Sequence, residues 1–461
     1  MAGIDRYRRL VDPLLASRPW ILLLDAAAAA TPLVRYLADL GAPRPFVLSA
    51  TPGTGGLPDP SLAEVEILGL ETSTIMESFR AYFAAVADLP DEVRDRIDAW
   101  DPDGAAMAMP TGLHPAGEVH GRPIWAGRPP EWEALEDKTT VDVLWDEAGV
   151  ARSPSEVVAA RPAVLQAAAA RLDAGAGTVW TGDNREGWHG GAEYVRLVAG
   201  EEADGDTAFF AEHCDTVRVM PYLEGIPCSI HALVLPDGEI ALRPCEMIVF
   251  RSPGSDRFRY AGMATWWEPA PADREEMRAA ALAVAALLRD RVGYRGALGI
   301  DGVMTADGFR PTELNPRTSP GFVIQGLGPE PPVPLGHLSR MLVAGEEADY
   351  RGADLERLVL ANAVRHPQMR SLTPIDEGPE VTVSVPIAMD GDDIVVVGEE
   401  AAHGSLEIGP ATMGGAVILR IDPVHARRGP SAAPVVAAAF QLADELWQAG
   451  IGPLLPASKA R

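Results

Sequence analysis

The stretch from Gly299 to Arg317, GIDGVMTADGFRPTELNPR, constrains the fold of this 461-residue chain more than any other. Two β-prone runs flank Ala306, Asp307 and Gly308, the chemistry of a tight turn, so the segment reads as a β-hairpin. Pairing across it sets Asp301 on the first strand against residues near Glu313 on the second. Glu313 and Asn315, two apart, share one face. Three oxygen-bearing side chains then converge, with the Arg317 guanidinium two residues on. Hard divalent cations take oxygen ligands and are held by one or two carboxylates plus substrate phosphates, so the triplet suits a metal-nucleotide site. Spacing alone leaves open the alternative of a solvated hairpin with acidic tips.

Upstream, RPWILLLDAAAAATPLVRYLADLGAPRPFVLSATPGTGG reads as strand, helix, strand and Gly-rich turn. Its GTGG, Gly53 to Gly56, lacks the GxGxxG order and a following helix, and reads as a plain turn. Ser73 to Asp88 reads as a helix, and a Pro/Gly-rich passage closes a first α/β domain, residues 1–130. Residues 131–225 read as a helix, a long Ala-rich helix and two strands around a glycine loop, Asp183 to Gly191. Residues 226–335 read as an antiparallel sheet, a helix over Met277 to Val292 and the hairpin. Residues 336–461 add strands, among them EVTVSVPIAM and DIVVVG, and a closing helix, VVAAAFQLADELW. The fold class expected is α/β and α+β.

Composition narrows the partners. With 47% hydrophobic residues the chain supports several packed subdomains. Its 66 Asp+Glu against 39 Lys+Arg give a net charge of −27, which excludes a general nucleic-acid or anionic-membrane surface. An anionic ligand must find a local cationic pocket. No run reaches the ~18 apolar residues of a membrane span, and the N-terminus lacks signal-peptide order, so the chain reads as cytoplasmic. Its three cysteines, Cys214, Cys228 and Cys245, form no CxxC pair and read as reduced thiols. Lysine occurs only at Lys138 and Lys459, which marks Lys138 as a candidate point charge for phosphate.

Taken in order, Lys138 ahead of a helix, the glycine loop between two strands, VMPYLEG, IDGVM and TELNPR resemble the ATP-grasp superfamily of carboxylate-amine ligases, over roughly residues 130–330. The resemblance implies an ATP-grasp fold preceded by a Rossmann-like pre-ATP-grasp domain and followed by a C-terminal α+β extension. It implies ATP with Mg²⁺ or Mn²⁺ as cofactors, and Asp301, Glu313 and Asn315 as metal ligands. Arg317 then faces the transferred phosphoryl group or acyl phosphate, and Lys138 contacts ATP. Met220, Tyr222 and Leu223 form the hinge at adenine, and Glu224 accepts from the ribose. The loop Gly187 to Gly191, including Gly190 and Gly191, covers the phosphates. Many members carry a second lysine where this chain has Val179-Trp180-Thr181-Gly182-Asp183; Arg185 or His189 is the nearest replacement.

The activity implied is ATP-dependent amide formation between a carboxylate and an amine, on amino-acid or peptide-like substrates, as in the peptide ligases of natural-product pathways. A carboxylase-like enzyme activating bicarbonate is an alternative, although no Gln-Val-Glu-His run follows Arg317. A nucleotide-binding protein without turnover is another, motivated by Thr181. A homodimer fits the general habit of soluble enzymes. Glu246, between Arg243 and Arg251, reads either as a substrate contact or as a cross-strand ion pair. Trp266 and Trp267 read as core or acceptor pocket, and His213 and His231 as structural.

Overall fold

The computed structural model describes residues 2–188, 190, 192–199, 203–328 and 332–456. A first sheet is built from β1 (Trp20–Ala26), β2 (Phe46–Thr51), β3 (Glu64–Ile67) and β4 (Met107–Met109), all parallel in the order β3-β2-β1-β4. Strands β1 and β2 are apolar almost throughout because both faces are covered. Trp20 and Leu22 enter one core, Ile21 and Leu23 another. Helices α1 (Ala2–Ala16), α2 (Thr31–Asp39), α3 (Ile75–Ala87) and α4 (Asp91–Trp100) surround the sheet, and a short ribbon, β5 (Glu118–Val119) with β6 (Arg122–Pro123), leads out of it.

The GTGG segment is a turn with a docking role. Gly53 has φ +74°, and a Cβ there would lie 2.4 Å from the Ala26 Cβ, so only glycine fits. Beyond it, Thr54 Oγ1 donates to the Pro410 carbonyl at 3.0 Å and the Gly55 N–H donates to Thr382 Oγ1 at 2.9 Å. The turn thereby joins the first domain to the last segment of the chain.

Helices α5 (Pro130–Glu133) and α6 (Val141–Glu147) lead to a small antiparallel sheet. Its strands are β7 (Glu156–Ala159), β8 (Thr178–Gly182), β9 (Val195–Val198) and β10 (Thr216–Pro221), in the order β7-β10-β8-β9, with α7 (Pro162–Leu172) and α8 (Ala203–His213) against it. Strand β7 was not expected: EVVA is short and merges with the Ala-rich helix that follows, and pairing with β10 is what holds it extended.

A third sheet begins with β11 (Ile226–Leu235), β12 (Gly238–Ala241), β13 (Cys245–Arg251) and β14 (Phe258–Ala264). Helix α9 (Pro271–Val292) follows, starting six residues before the expected Met277 because Pro271 occupies its first turn; Gly293, at φ +61°, ends it. Next come β15 (Gly296–Thr305), β16 (Gly308–Asn315), α10 (Pro320–Val323), α11 (Leu335–Ala344) and α12 (Gly352–Arg365). The last segment supplies β17 (Met369–Ile375), β18 (Val383–Asp390), β19 (Asp393–Val396), β20 (Gly404–Ala411), β21 (Gly414–Ile421), α13 (Ala433–Trp447) and β22 (Leu455–Pro456). The sheet runs β16-β15-β11-β13-β14-β17-β21-β20-β18-β19, so strands after residue 336 extend the one that carries the hairpin.

Both long helices pack on the same face of this sheet. Cys228, Ile230, Leu298 and Ile300 meet α9, while Ile248, Phe250, Leu406 and Leu419 meet α13; the pairing of Cys228 with Glu246 places these two groups on one side. Glu246 makes no ion pair among the described residues: its buried carboxylate accepts from Ser431 and, at 2.7 Å, from the Ala432 N–H, capping the start of α13. Trp266 and Trp267 are both buried in cores. No described helix is long and apolar enough to cross a membrane.

Candidate active site

The hairpin register pairs Asp301 with Glu313 and Gly299 with Asn315, with an irregularity immediately after Asp301. Asn315 Nδ2 donates to Asp301 Oδ2 at 2.9 Å, and Arg317 Nη2 donates to Asn315 Oδ1 at 2.6 Å. Lys138, in the turn before α6, places Nζ 3.0 Å from Glu313 Oε1. All five polar side chains therefore meet. Burial and the neighbouring Glu313 raise the Asp301 carboxyl above its ordinary range, against the opposing pull of Ser229, Arg317 and Asn315. Two carboxylates held together in this way favour a cation between them.

One central residue escaped the sequence reading. Glu136, two before Lys138, is 2% exposed and accepts from Arg128 and the Trp188 indole, and from Arg317 Nε at 3.0 Å. Its burial favours the neutral acid, but Arg317 and Arg128 outweigh that and hold the carboxyl below its usual range. Glu136 thereby fixes Arg317 from the side opposite Asn315. The available signal was its position beside the isolated lysine in a chain otherwise rich in arginine.

The glycine loop lies toward the first domain. Trp188 packs 6.2 Å from the Phe79 ring of α3, with the Arg128 guanidinium 5.6 Å from the Trp188 ring centroid. The Gly190 N–H points to Met76 Sδ at 2.9 Å. At the loop's root the Asn184 N–H donates to Asp137 Oδ2 at 3.3 Å, tying it to the Lys138 turn. Gly191 and His189 lie outside the described residues. Arg185 is not brought to the hairpin: its guanidinium donates to the Glu212 carbonyl and, at 3.4 Å, to Asp215.

Thr181, where a second lysine was expected, is buried, and its Oγ1 donates to the Arg218 carbonyl at 3.4 Å. Arg218 stands directly across from it on β10, fully buried, with two hydrogen bonds to Asp142 at 2.9 and 2.7 Å. Met220 is buried on the same strand. Tyr222 leaves it with its N–H on the Gly177 carbonyl at 3.0 Å and its ring stacked on Phe258 at 6.5 Å. Leu223 is half-buried and Glu224 exposed.

No family model and no curated relative matches the chain. Solved structures do. The biotin carboxylase domain of 2-oxoglutarate carboxylase from Hydrogenobacter thermophilus, in complex with MgADP, ADP and bicarbonate, shares 14% identity over 88% of this chain and 86% of its own, with a TM-score of 0.51. N5-carboxyaminoimidazole synthase from Aspergillus clavatus, in complex with ADP and 5-aminoimidazole ribonucleotide, shares 10% over 94% and 100%, with a TM-score of 0.50. Pyruvate carboxylase from Rhizobium etli shares 14%, covering 96% of this chain and 38% of that one, at 0.52. This is the ATP-grasp fold.

Within the ATP-grasp fold of this chain, the donor set of Asp301, Glu313 and Asn315 fits Mg²⁺ or Mn²⁺: all three ligand atoms are oxygens, and a dication relieves the repulsion between the two carboxylates. Among the described residues no group of three or more His, Cys, Asp or Glu side chains is placed to hold a metal. An ion held there would therefore need the Asn315 amide or non-protein oxygens to complete its coordination.

Proposed function

We propose that the protein is an ATP-dependent ligase that joins a carboxylate to an amine, on an amino-acid or short-peptide substrate. The observation that carries this reading is the convergence of Lys138, Glu313, Asp301, Asn315 and Arg317 at one end of the open sheet face.

In this reading a carboxylate oxygen attacks the γ-phosphorus of ATP, the bond to the β,γ-bridging oxygen breaks, and ADP leaves with that electron pair. The amine then attacks the acyl carbon, phosphate departs, and the amine proton passes to solvent. Positioning and charge neutralisation are what such a phosphoryl transfer needs from a protein. Arg317, fixed between Glu136 and Asn315, brings its guanidinium charge to the developing negative charge. Lys138 supplies a compact positive charge to phosphate, the Met220–Leu223 segment its backbone to adenine, and Glu224 an acceptor for ribose hydroxyls. The Gly190 region closes over the phosphates, with Trp188 excluding water from the Arg317 side. Asp301, Glu313 and Asn315 would hold a Mg²⁺ ion, which would neutralise phosphate oxygens.

The test is ADP release from Mg-ATP across a panel of amino acids and dipeptides, with bicarbonate in parallel. Release that needs both a carboxylate and an amine supports the ligase. Dependence on bicarbonate replaces it with the carboxylase reading, and nucleotide binding without any ADP release replaces it with a protein that does not turn over.

A further inference from the structure

The sheet face that carries Asp301 continues well beyond the hairpin. Register places Ser229 beside Asp301, Cys245 beside Ser229, Tyr260 beside Val249, and Arg370 beside Met263. Along β17 the residues of the opposite face, Met369 and Ile375, are buried in the α13 core, so Arg370 and Leu372 stand on the open face. Arg420 follows on β21, where Val417 and Leu419 face α13. One surface thus leads from the Asp301–Arg317 site across Met247 and Tyr260 to two arginines.

Arg370 is the unusual member. Among the described residues its guanidinium has no acidic partner and no hydrogen bond, whereas Arg420 is 3.0 Å from Glu407. Its side chain is exposed on this face, beside Arg420. Arg420 also faces the first domain, its Nη2 3.9 Å from where a Gly55 Cβ would sit. In a chain with a net charge of −27, two adjacent guanidinium groups on one face, one of them without an acidic partner among the described residues, make a local cationic patch that attracts an anion. Tyr260 stands on the same sheet face as Asp301, so this floor is continuous with the reacting end.

We propose that Arg370, with Arg420 beside it, binds a second anionic group of the substrate, a carboxylate or a phosphate, while Met247, Tyr260 and Leu372 support its apolar body. This rests on the ligase reading for the substrate's reacting end. Four strand steps of about 4.8 Å separate β15 from β17, so the occupant is longer than a lone amino acid, one residue of which spans about 3.5 Å.

The test titrates the full-length protein by calorimetry with succinate and, separately, with inorganic phosphate, comparing the parent with Arg370→Met and Arg420→Met. The parent is expected to bind one of them at about millimolar Kd, and Arg370→Met to weaken it at least about tenfold, a charge-assisted contact being lost. The tighter probe identifies the group. Mg-ATP binding, measured alongside, stays unchanged in Arg370→Met, whose exposed side chain leaves folding intact. Absence of binding of both anions to the parent, or equal binding by Arg370→Met, overturns the proposal. Anion binding that depends on Arg370 in a parent that binds no nucleotide keeps this site and removes the ligase reading instead.

Discussion

Lys138 Nζ lies 3.0 Å from Glu313 Oε1, joining the turn before α6 to the second strand of the hairpin. The lysine is 2% exposed, and this pairing balances a charge that the protein otherwise buries at a cost. In the proposed function the pair sets the lysine that contacts phosphate against one of the metal-holding carboxylates.

Lys138→Met and Glu313→Gln are each expected to weaken Mg-ATP binding by about 10–100-fold, or about 1.4–2.8 kcal/mol. The double variant loses less than the sum, with a coupling of about 0.5–3 kcal/mol, because each single change already breaks the shared pair. Calorimetric titration of the four proteins checks this, and strict additivity would show that the two side chains act apart.

Glu136→Gln removes the charge that Arg128 and Arg317 share. It is expected to destabilise the fold by about 3–5 kcal/mol, the usual cost of stranding a buried partner. Urea unfolding measures it. A loss below about 1 kcal/mol, the range of exposed pairs, would mean that the cluster is solvated.

Arg218 bears on the missing second lysine. Placing a lysine at Thr181 sets a second cation against a fully buried, Asp142-paired guanidinium, in a position that is itself buried. Thr181→Lys is therefore expected to lower stability by about 1–3 kcal/mol and to leave nucleotide affinity no tighter. Tighter Mg-ATP binding by this variant in calorimetry would count against it.

His231 sets a pH dependence of stability. Its ring is 1% exposed, with Nε2 2.8 Å from Ser319 Oγ, and burial lowers its pKa to about 3. With the folded value below the unfolded one of about 6.5, the unfolded chain binds the extra proton. Stability is full above pH 6.5 and falls as the pH drops toward 3, by up to about 1.4 kcal/mol per pH unit for this residue. Denaturant melts between pH 7.5 and 5 read the slope, and His231→Gln should flatten it by about one proton; an unchanged slope would place the titration elsewhere.

Much of the architecture was legible because local chemistry and tertiary packing agree. The apolar runs of β1 and β2, the turn at Ala306 and Asp307, and the closing helix follow from periodicity and turn residues, and each forms where expected. The hairpin brought Asp301, Glu313 and Asn315 together for the same reason: strand pairing has a period of two, so residue spacing fixes the face. Strand β7 was missed because its extended state depends on pairing with β10, which sequence spacing does not encode.

The sequence by itself therefore determined the hairpin, the isolated Lys138 and the order of motifs, all of which depend on contacts near in the chain. Only the tertiary structure decided that Glu136 holds Arg317, that Arg218 stands opposite Thr181, that Arg185 turns toward Glu212 and Asp215, and that Glu246 caps α13. Each is a contact between residues distant in the chain, and Glu136, Arg218 and Glu246 are buried polar groups. Such a group must find its partner wherever folding brings one, because leaving it unpaired costs more than any local preference supplies.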